Sequence, residues 1–136
     1  MNAIATPTAG RRAFIAGWAV SGLLTALFLM DAGMKLAVMQ IVVDGSQQMG
    51  WPADVTTIRA LGLVLAISTV LYAVPRTAFL GAILLTGYLG GAIATHVRIA
   101  DPLFTHTLFG VYLGVALWGA LWLRDTRLRA LIPLST

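Results

Sequence analysis

Apolar positions run almost unbroken through four stretches of the chain: Ala13 to Met30, Ala60 to Pro75, Thr77 to Thr95, and Leu103 to Leu123, the last interrupted only by His106. A helix crossing a bilayer needs about 20 mostly apolar residues. Each run reaches that length once its flanking turns are added. The runs do not alternate polar and apolar positions, so they do not read as the strands of a membrane barrel. The pattern predicts an all-α fold, an integral membrane antiparallel four-helix bundle. Spans are expected at about 13–36, 55–75, 77–97 and 102–123, in a domain 13–123 flanked by tails 1–12 and 124–136.

The interruptions have local causes. Gly45-Ser46-Gln47-Gln48 reads as a loop, and Trp51-Pro52 suits a helix start, because proline at the first helical position forfeits no needed donor. Pro75 ends the second span, and Arg76 marks the bilayer surface. Asp101-Pro102 reads as an N-cap followed by proline at the first position of the fourth helix. Links this short make neighbouring helices antiparallel. Met34 to Val43 stays apolar beyond the first span. One straight helix from Ala13 to Val43 would measure about 46 Å, against a hydrocarbon core of ~30 Å. The segment therefore tilts, bends near Gly33, or ends in an interfacial turn.

Composition agrees with the pattern. Of 136 residues, 59% are apolar and 10% are charged, whereas soluble domains carry roughly 25% charged residues. So few ionised groups cannot coat a water-facing surface. The absence of cysteine excludes disulfides, thiolate metal sites and thiol exchange by this chain. The net charge of +4 is spread over the membrane flanks, and without a clustered basic patch no nucleic-acid partner is expected. With four spans, Arg11, Arg12, Arg76, Arg124, Arg127 and Arg129 fall on one side, and Lys35, Arg59 and Arg98 on the other with four acids. The positive-inside rule then predicts a multi-pass protein of the cell's inner (plasma) membrane with both termini cytoplasmic. Trp18, Tyr72 and Trp122 would form the inner aromatic belt and Trp51 the outer. Arg11-Arg12 before an apolar run resembles an export signal, but more membrane follows, so the first span is expected to be retained.

Gly87 and Gly91, and Gly110 and Gly114, sit at the small-residue spacing that lets helices approach closely. Contact within one bundle is the expectation, with a homo-oligomer face as the alternative. Ser21 and Ser68 would bond back to their own helices, and mid-span Tyr88 and Tyr112 would pack in the core.

The informative residues are those that membranes disfavour. At ~1.5 Å rise per residue, Asp31, Arg59, His96 and His106 each lie about 26–29 Å above the lower boundary of their own helix. Lys35 follows Asp31 by one turn, Arg98 follows His96, and Asp101 closes the loop. Intramembrane charges usually face the bundle interior and pair with one another. Asp31 with Lys35 or Arg59, and Asp101 with Arg98 or Arg59, are the available partners. Such a ring either lines a ligand pocket or, with long side chains snorkelling to water, forms a salt-bridged cap on the helix ends. Neutral histidines acting as hydrogen-bond partners or proton shuttles fit the pair more economically than metal or haem ligation, so no metal set is assigned. Nucleotide-binding loops and nucleophile elbows are absent from the sequence.

These residues carry a resemblance. Asp31-Ala32-Gly33-Met34-Lys35-Leu36 matches a G-x-K-L signature, and Met49 to Leu65, with Gly62 after Arg59, follows a second-helix pattern. Ala94-Thr95-His96-Val97-Arg98-Ile99-Ala100-Asp101-Pro102 follows A-x-H-x-R-x-x-D-P, and Arg124 to Leu131 looks like an LRDxRLRxL tail. In these motifs, over residues 12–133, the chain resembles the DoxX-like family of small four-helix membrane proteins. The resemblance implies that fold and a site near the ring. Some relatives are similar to the quinone-reducing subunit of a thiosulfate oxidoreductase, others accompany oxidative-stress enzymes, and distant ones include membrane chaperones and cargo receptors.

Two functions are thus expected to compete. In the first, Asp31, Lys35, Arg59, His96, Arg98, Asp101 and His106 surround a lipophilic, quinone-like molecule, and the chain serves a membrane redox system as an accessory or subunit. No cofactor would be resident, and electrons would come from a partner protein. In the second, the same residues form a structural lock in an assembly or chaperone-like module. Transport ranks below both, because the lower half offers only Ser, Thr and Tyr as polar groups.

Overall fold

On one face of the bundle, helices end in left-handed turns that satisfy carbonyls the helix leaves free. The computed structural model describes residues 8–132, and its first helix, α1 (Thr8–Leu36), stops where Val38 adopts φ 51°. There the Val38 amide donates to Lys35 O and the Met39 amide to Met34 O, both at 3.1 Å. This is the paired closure of a Schellman motif. The same closure ends α2 (Gln40–Gln48) at Gly50, φ 70°, and α4 (Ala78–Arg98) at Ala100, φ 55°. The apolar segment past Met34 thus breaks at Val38 and restarts as a separate short helix. At its other end α1 takes in residues 8–12, which were expected to be tail; Arg11 and Arg12 are good helix formers and nothing there breaks the run.

Three local expectations are corrected. Gly45-Ser46-Gln47-Gln48 lies inside α2, where Gln40 Nε2 donates to Asp44 Oδ1 at 2.7 Å one turn on. The helix α3 (Val55–Ala73) starts not at Pro52 but at an Asp54 N-cap, whose carboxylate accepts from the Thr57 amide at 2.9 Å. Asp101 caps nothing with its side chain. Pro102 instead leads into a π-helical turn, Leu103–Thr107, that continues into α5 (Phe109–Arg124). A last short helix, α6 (Thr126–Leu131), begins at Asp125, whose carboxylate accepts from the Arg127 amide.

Among the described residues, four segments are long and apolar enough to cross a membrane: α1, α3, α4, and the π turn with α5. They form a ring in which α1 packs on α3 and α5, and α4 on the other flanks of both. We call the face where α1 begins and α5 ends the lower face. The core is thin. Leu24, Phe28, Leu65, Tyr72, Leu85, Leu117 and Leu121 are buried, while Leu23, Val64, Ile67 and Val115 point outward. Lipid tails are as apolar as these side chains, so helices cohere through close contact rather than hydrophobic expulsion.

That contact falls at glycines outside the expected stripes. Gly17 meets the Ala120 carbonyl of α5, Gly62 meets Ala32 and Lys35 of α1, and Gly81 abuts the Tyr72 backbone. Of the four stripe glycines, only Gly110 makes such an approach, against Ile93; Gly87, Gly91 and Gly114 have open space where a side chain would stand. Tyr72 is not a belt residue either. It is fully buried, donating its hydroxyl to Leu117 O at 2.9 Å and accepting from Ser21 Oγ at 3.1 Å. Ser21 therefore bridges two helices, whereas Ser68 bonds back to Val64 O. Tyr88 packs against the core, but Tyr112 is exposed, its hydroxyl reaching Phe104 O.

Candidate functional site

The ionisable groups at the upper face divide into ties between helices and one open cluster. Asp31 and Lys35 pair one turn apart along α1. Arg59 is exposed and donates Nε–H to the carbonyl of Leu36, the last residue of α1, at 3.1 Å. Arg98, also exposed, donates to the Met49 carbonyl where α2 ends. Among the described residues neither guanidinium lies within 4.0 Å of a carboxylate. Both are satisfied instead by helix C-terminal carbonyls, which carry partial negative charge and lack partners of their own. These contacts fasten α3 to the end of α1 and α4 to the end of α2. Trp51 adds another, donating Nε1–H to Thr95 Oγ1 at 3.2 Å.

The open cluster joins α4 to the π turn. His96 Nδ1 lies 2.5 Å from Asp101 Oδ2, so Asp101 pairs with a histidine rather than with the expected arginines. The left-handed turn at Ala100 brings the carboxylate back over the last turn of α4. Across it stands His106, ring centroids 6.1 Å apart, with Nδ1 2.8 Å from Thr105 Oγ1. A carboxylate accepting from Nδ1–H holds a neutral imidazole in the tautomer whose Nε2 is a free acceptor. The contact with Asp101 orients the His96 ring for that role. The arrangement can take up a proton, or accept a hydrogen bond, at one ring nitrogen.

Among the described residues, a larger and a smaller cavity stand out, and neither is lined by Asp31, Arg59, His96 or His106. The larger, about 650 Å³, is an apolar groove between α4 and α5. Its walls are Leu89, Gly90 and Ile93 on one side and Gly110, Gly114 and Gly119 on the other, with Trp118 and Trp122 along its length. The missing side chains of the glycines create the space. Trp118 donates Nε1–H to Thr86 Oγ1 at 2.8 Å across the groove, so even its polar atoms are satisfied internally. The upper end, at Ile93 and Gly110, stands about one turn below the histidine cluster: three residues before His96 and four after His106. The lower end is closed by Leu128 and Ile132. The second cavity, about 210 Å³, opens at the lower face beside Arg124.

With this geometry in place, comparison with known proteins decides the lineage. The model of the DoxX-like family matches residues 19–120, three quarters of the chain. The chain belongs to the DoxX-like family. No curated protein and no solved structure matches it. The family match covers α3, α4, most of α1 and α5, and the whole histidine cluster, but it stops before Arg124. Sequence reasoning placed the polar residues of this DoxX-like chain at the upper face and missed the groove. Its signal was present in the glycines at 90, 114 and 119, which lack contact partners.

Proposed function

We propose that this DoxX-like membrane protein binds one lipophilic molecule of quinone-like class. The hydrocarbon tail would lie in the α4–α5 groove and a polar headgroup would meet the His96–Asp101–His106 cluster. The groove carries this reading. Its volume of about 650 Å³ falls in the range of small-molecule sites, and its lining is almost wholly apolar. His96, oriented by Asp101, would accept a hydrogen bond from a hydroxyl or exchange a proton with the headgroup. Arg59 and Lys35, first candidates for that contact, are engaged elsewhere. The chain would then act as an accessory or subunit of a membrane redox system, with electrons supplied by a partner protein. Six arginines at or near the lower face support placing both termini on the cytoplasmic side of the cell membrane.

The test is binding of an alkyl-tailed hydroxyquinone, whose ring hydroxyl can donate to His96, to purified protein, followed by quenching of tryptophan fluorescence. Gly114→Leu fills the groove where nothing stands within 4 Å. It should weaken binding at least ~tenfold, about 1.4 kcal/mol. Equal affinity in wild type and Gly114→Leu overturns the proposal. The second reading, a structural lock, is favoured by the Asp31–Lys35 pair and the two arginine ties. It expects Arg59→Ala to lower stability in detergent whether or not quinone is present.

A further inference from the structure

The lower face holds a buried charge that no carboxylate among the described residues neutralises. Arg124 ends α5 and is 7% exposed. Its guanidinium is stacked between Trp18, 4.5 Å from the ring centroid, and Tyr72, 4.8 Å away. One nitrogen donates to the Tyr72 carbonyl at 2.6 Å, and Nε has no partner among the described residues. Buried cations are normally paired with a carboxylate. The chain has five acids, and each is engaged elsewhere. Asp31 holds Lys35, Asp44 holds Gln40, Asp54 caps α3, Asp101 holds His96, and Asp125 accepts from Arg127. Among the described residues, no acidic side chain is left to serve as the counter-ion of Arg124.

A place for it exists. Arg124 forms part of the wall of the cavity of about 210 Å³, together with Trp18, Asp125, Thr126 and Arg127. That is roughly seven times the share of volume of one water molecule, ~30 Å³. It is too small for a drug-sized ligand and ample for a tetrahedral oxyanion. Two guanidinium groups and one carboxylate line it, leaving an excess of one positive charge. Asp125 opposes an anion, yet its carboxylate is turned to the Arg127 amide at 2.9 Å and to Arg127 Nε at 3.5 Å. Thr126 is a further polar residue of the cavity wall. Guanidinium groups match phosphate oxygens in both charge and fork geometry.

We infer that this cavity binds a phosphate oxyanion, with Arg124 as its buried counter-charge and Arg127 as its exposed clamp. The oxyanion is either the phosphate of an anionic lipid headgroup or free phosphate. The site is separate from the α4–α5 groove and does not depend on what that groove holds.

The full chain is purified in a neutral detergent and titrated with inorganic phosphate, followed by phosphorus NMR line width. In parallel it is reconstituted in bilayers of phosphatidylcholine with and without phosphatidylglycerol, and retained lipid is read by native mass spectrometry. Saturable phosphate binding identifies the free ion, and selective retention of phosphatidylglycerol identifies the headgroup; either supports the site. Arg127→Gln, at an exposed side chain, should weaken the bound species about fivefold. Arg124→Gln should abolish binding, and Arg124→Lys, which keeps charge without the fork, should recover part of it. Arg11→Gln removes an exposed cation that lines neither cavity, so it should have no effect. Binding of neither probe overturns the inference, and so does a loss in Arg11→Gln equal to that in Arg127→Gln, which would mark diffuse surface attraction.

Discussion

Replacing Gly81 by alanine tests how tightly the bundle is drawn together at its lower face. The added Cβ would stand 2.1 Å from the Tyr72 nitrogen, 2.5 Å from its Cα and 2.7 Å from the Leu71 carbonyl carbon. Comfortable carbon contacts lie at about 3.5–4.0 Å, and all three neighbours are backbone, which cannot swing aside. The turn is also pinned, because Thr77 Oγ1 donates to Leu71 O at 2.8 Å. The start of α4 and the end of α3 must therefore separate by roughly 1 Å, a strain of the overpacking kind that costs ~1–3 kcal/mol. Tyr72 moves with its backbone and loses alignment with Leu117 O, about 1 kcal/mol more. Alanine's better helix propensity returns about 1 kcal/mol. The net expectation is a loss of about 2 kcal/mol. Gly87→Ala, where nothing stands within 4 Å, receives the propensity term alone and should be up to about 1 kcal/mol more stable than wild type. Unfolding in mixed micelles with increasing sodium dodecyl sulfate, followed by circular dichroism, reads both. If Gly81→Ala unfolds no earlier than Gly87→Ala, the reasoning from close approach is wrong.

Two further outcomes follow from single contacts. Tyr72→Phe deletes the hydroxyl joining Ser21 to Leu117 O and should cost about 1 kcal/mol in the same unfolding assay, the scale of a polar contact inside a bilayer protein; no loss would show that Ser21 re-bonds freely. Asp54 accepts the Thr57 amide, which holds its carboxyl below the ordinary aspartate value. The folded value is the depressed one, so the cap's contribution is complete above the unfolded pKa, near ~3.9, and is lost as pH falls through the folded value. The Thr57 amide shift in NMR should titrate with a midpoint below pH ~3.9, and Asp54→Ala should abolish that titration.

Span number and approximate position were legible because they depend on length and apolarity alone, which Ala60 to Pro75 or Thr77 to Thr95 display directly. What the sequence hid is pairwise. Nothing in the run around Tyr72 distinguishes a ring at the bilayer surface from one buried against Leu117 and Arg124; that depends on α3 lying between α1 and α4. Asp101 before Pro102 carries the local signature of an N-cap, but a positive φ at Ala100 turns the carboxylate back to His96. Depth along a helix can be counted from sequence, since rise per residue is constant. Direction around the helix was not available in that way. Lys35 turned back along α1, and Arg59 and Arg98 reached for carbonyls at helix ends. The A-x-H-x-R-x-x-D-P motif therefore mixes roles: His96 and Asp101 form a pair, while Arg98 between them is a tie to α2.

The α4–α5 seam also constrains how any ligand could be selected. In a bilayer, an apolar groove of about 650 Å³ between two spanning helices would fill with lipid chain when nothing else occupied it. A bound tail therefore displaces a lipid chain of nearly equal apolarity and gains little from burial, unlike a tail leaving water. Lengthening the tail should thus change affinity only slightly. Selectivity has to arise at the polar end, where a headgroup exchanges contact with lipid or interfacial water for a hydrogen bond to His96 or His106. Gly110 is pressed against Ile93 at that end and Trp118 is tied to Thr86 lower down, so the seam is held at these points and left open between them. A flat ring would rest above the Ile93–Gly110 contact, with the tail threading the gap below. On this geometry His96→Gln should reduce the preference for a hydroxyquinone over the same molecule with its hydroxyl methylated, whereas Gly114→Leu, which blocks the path of the tail, should weaken both and leave that preference unchanged.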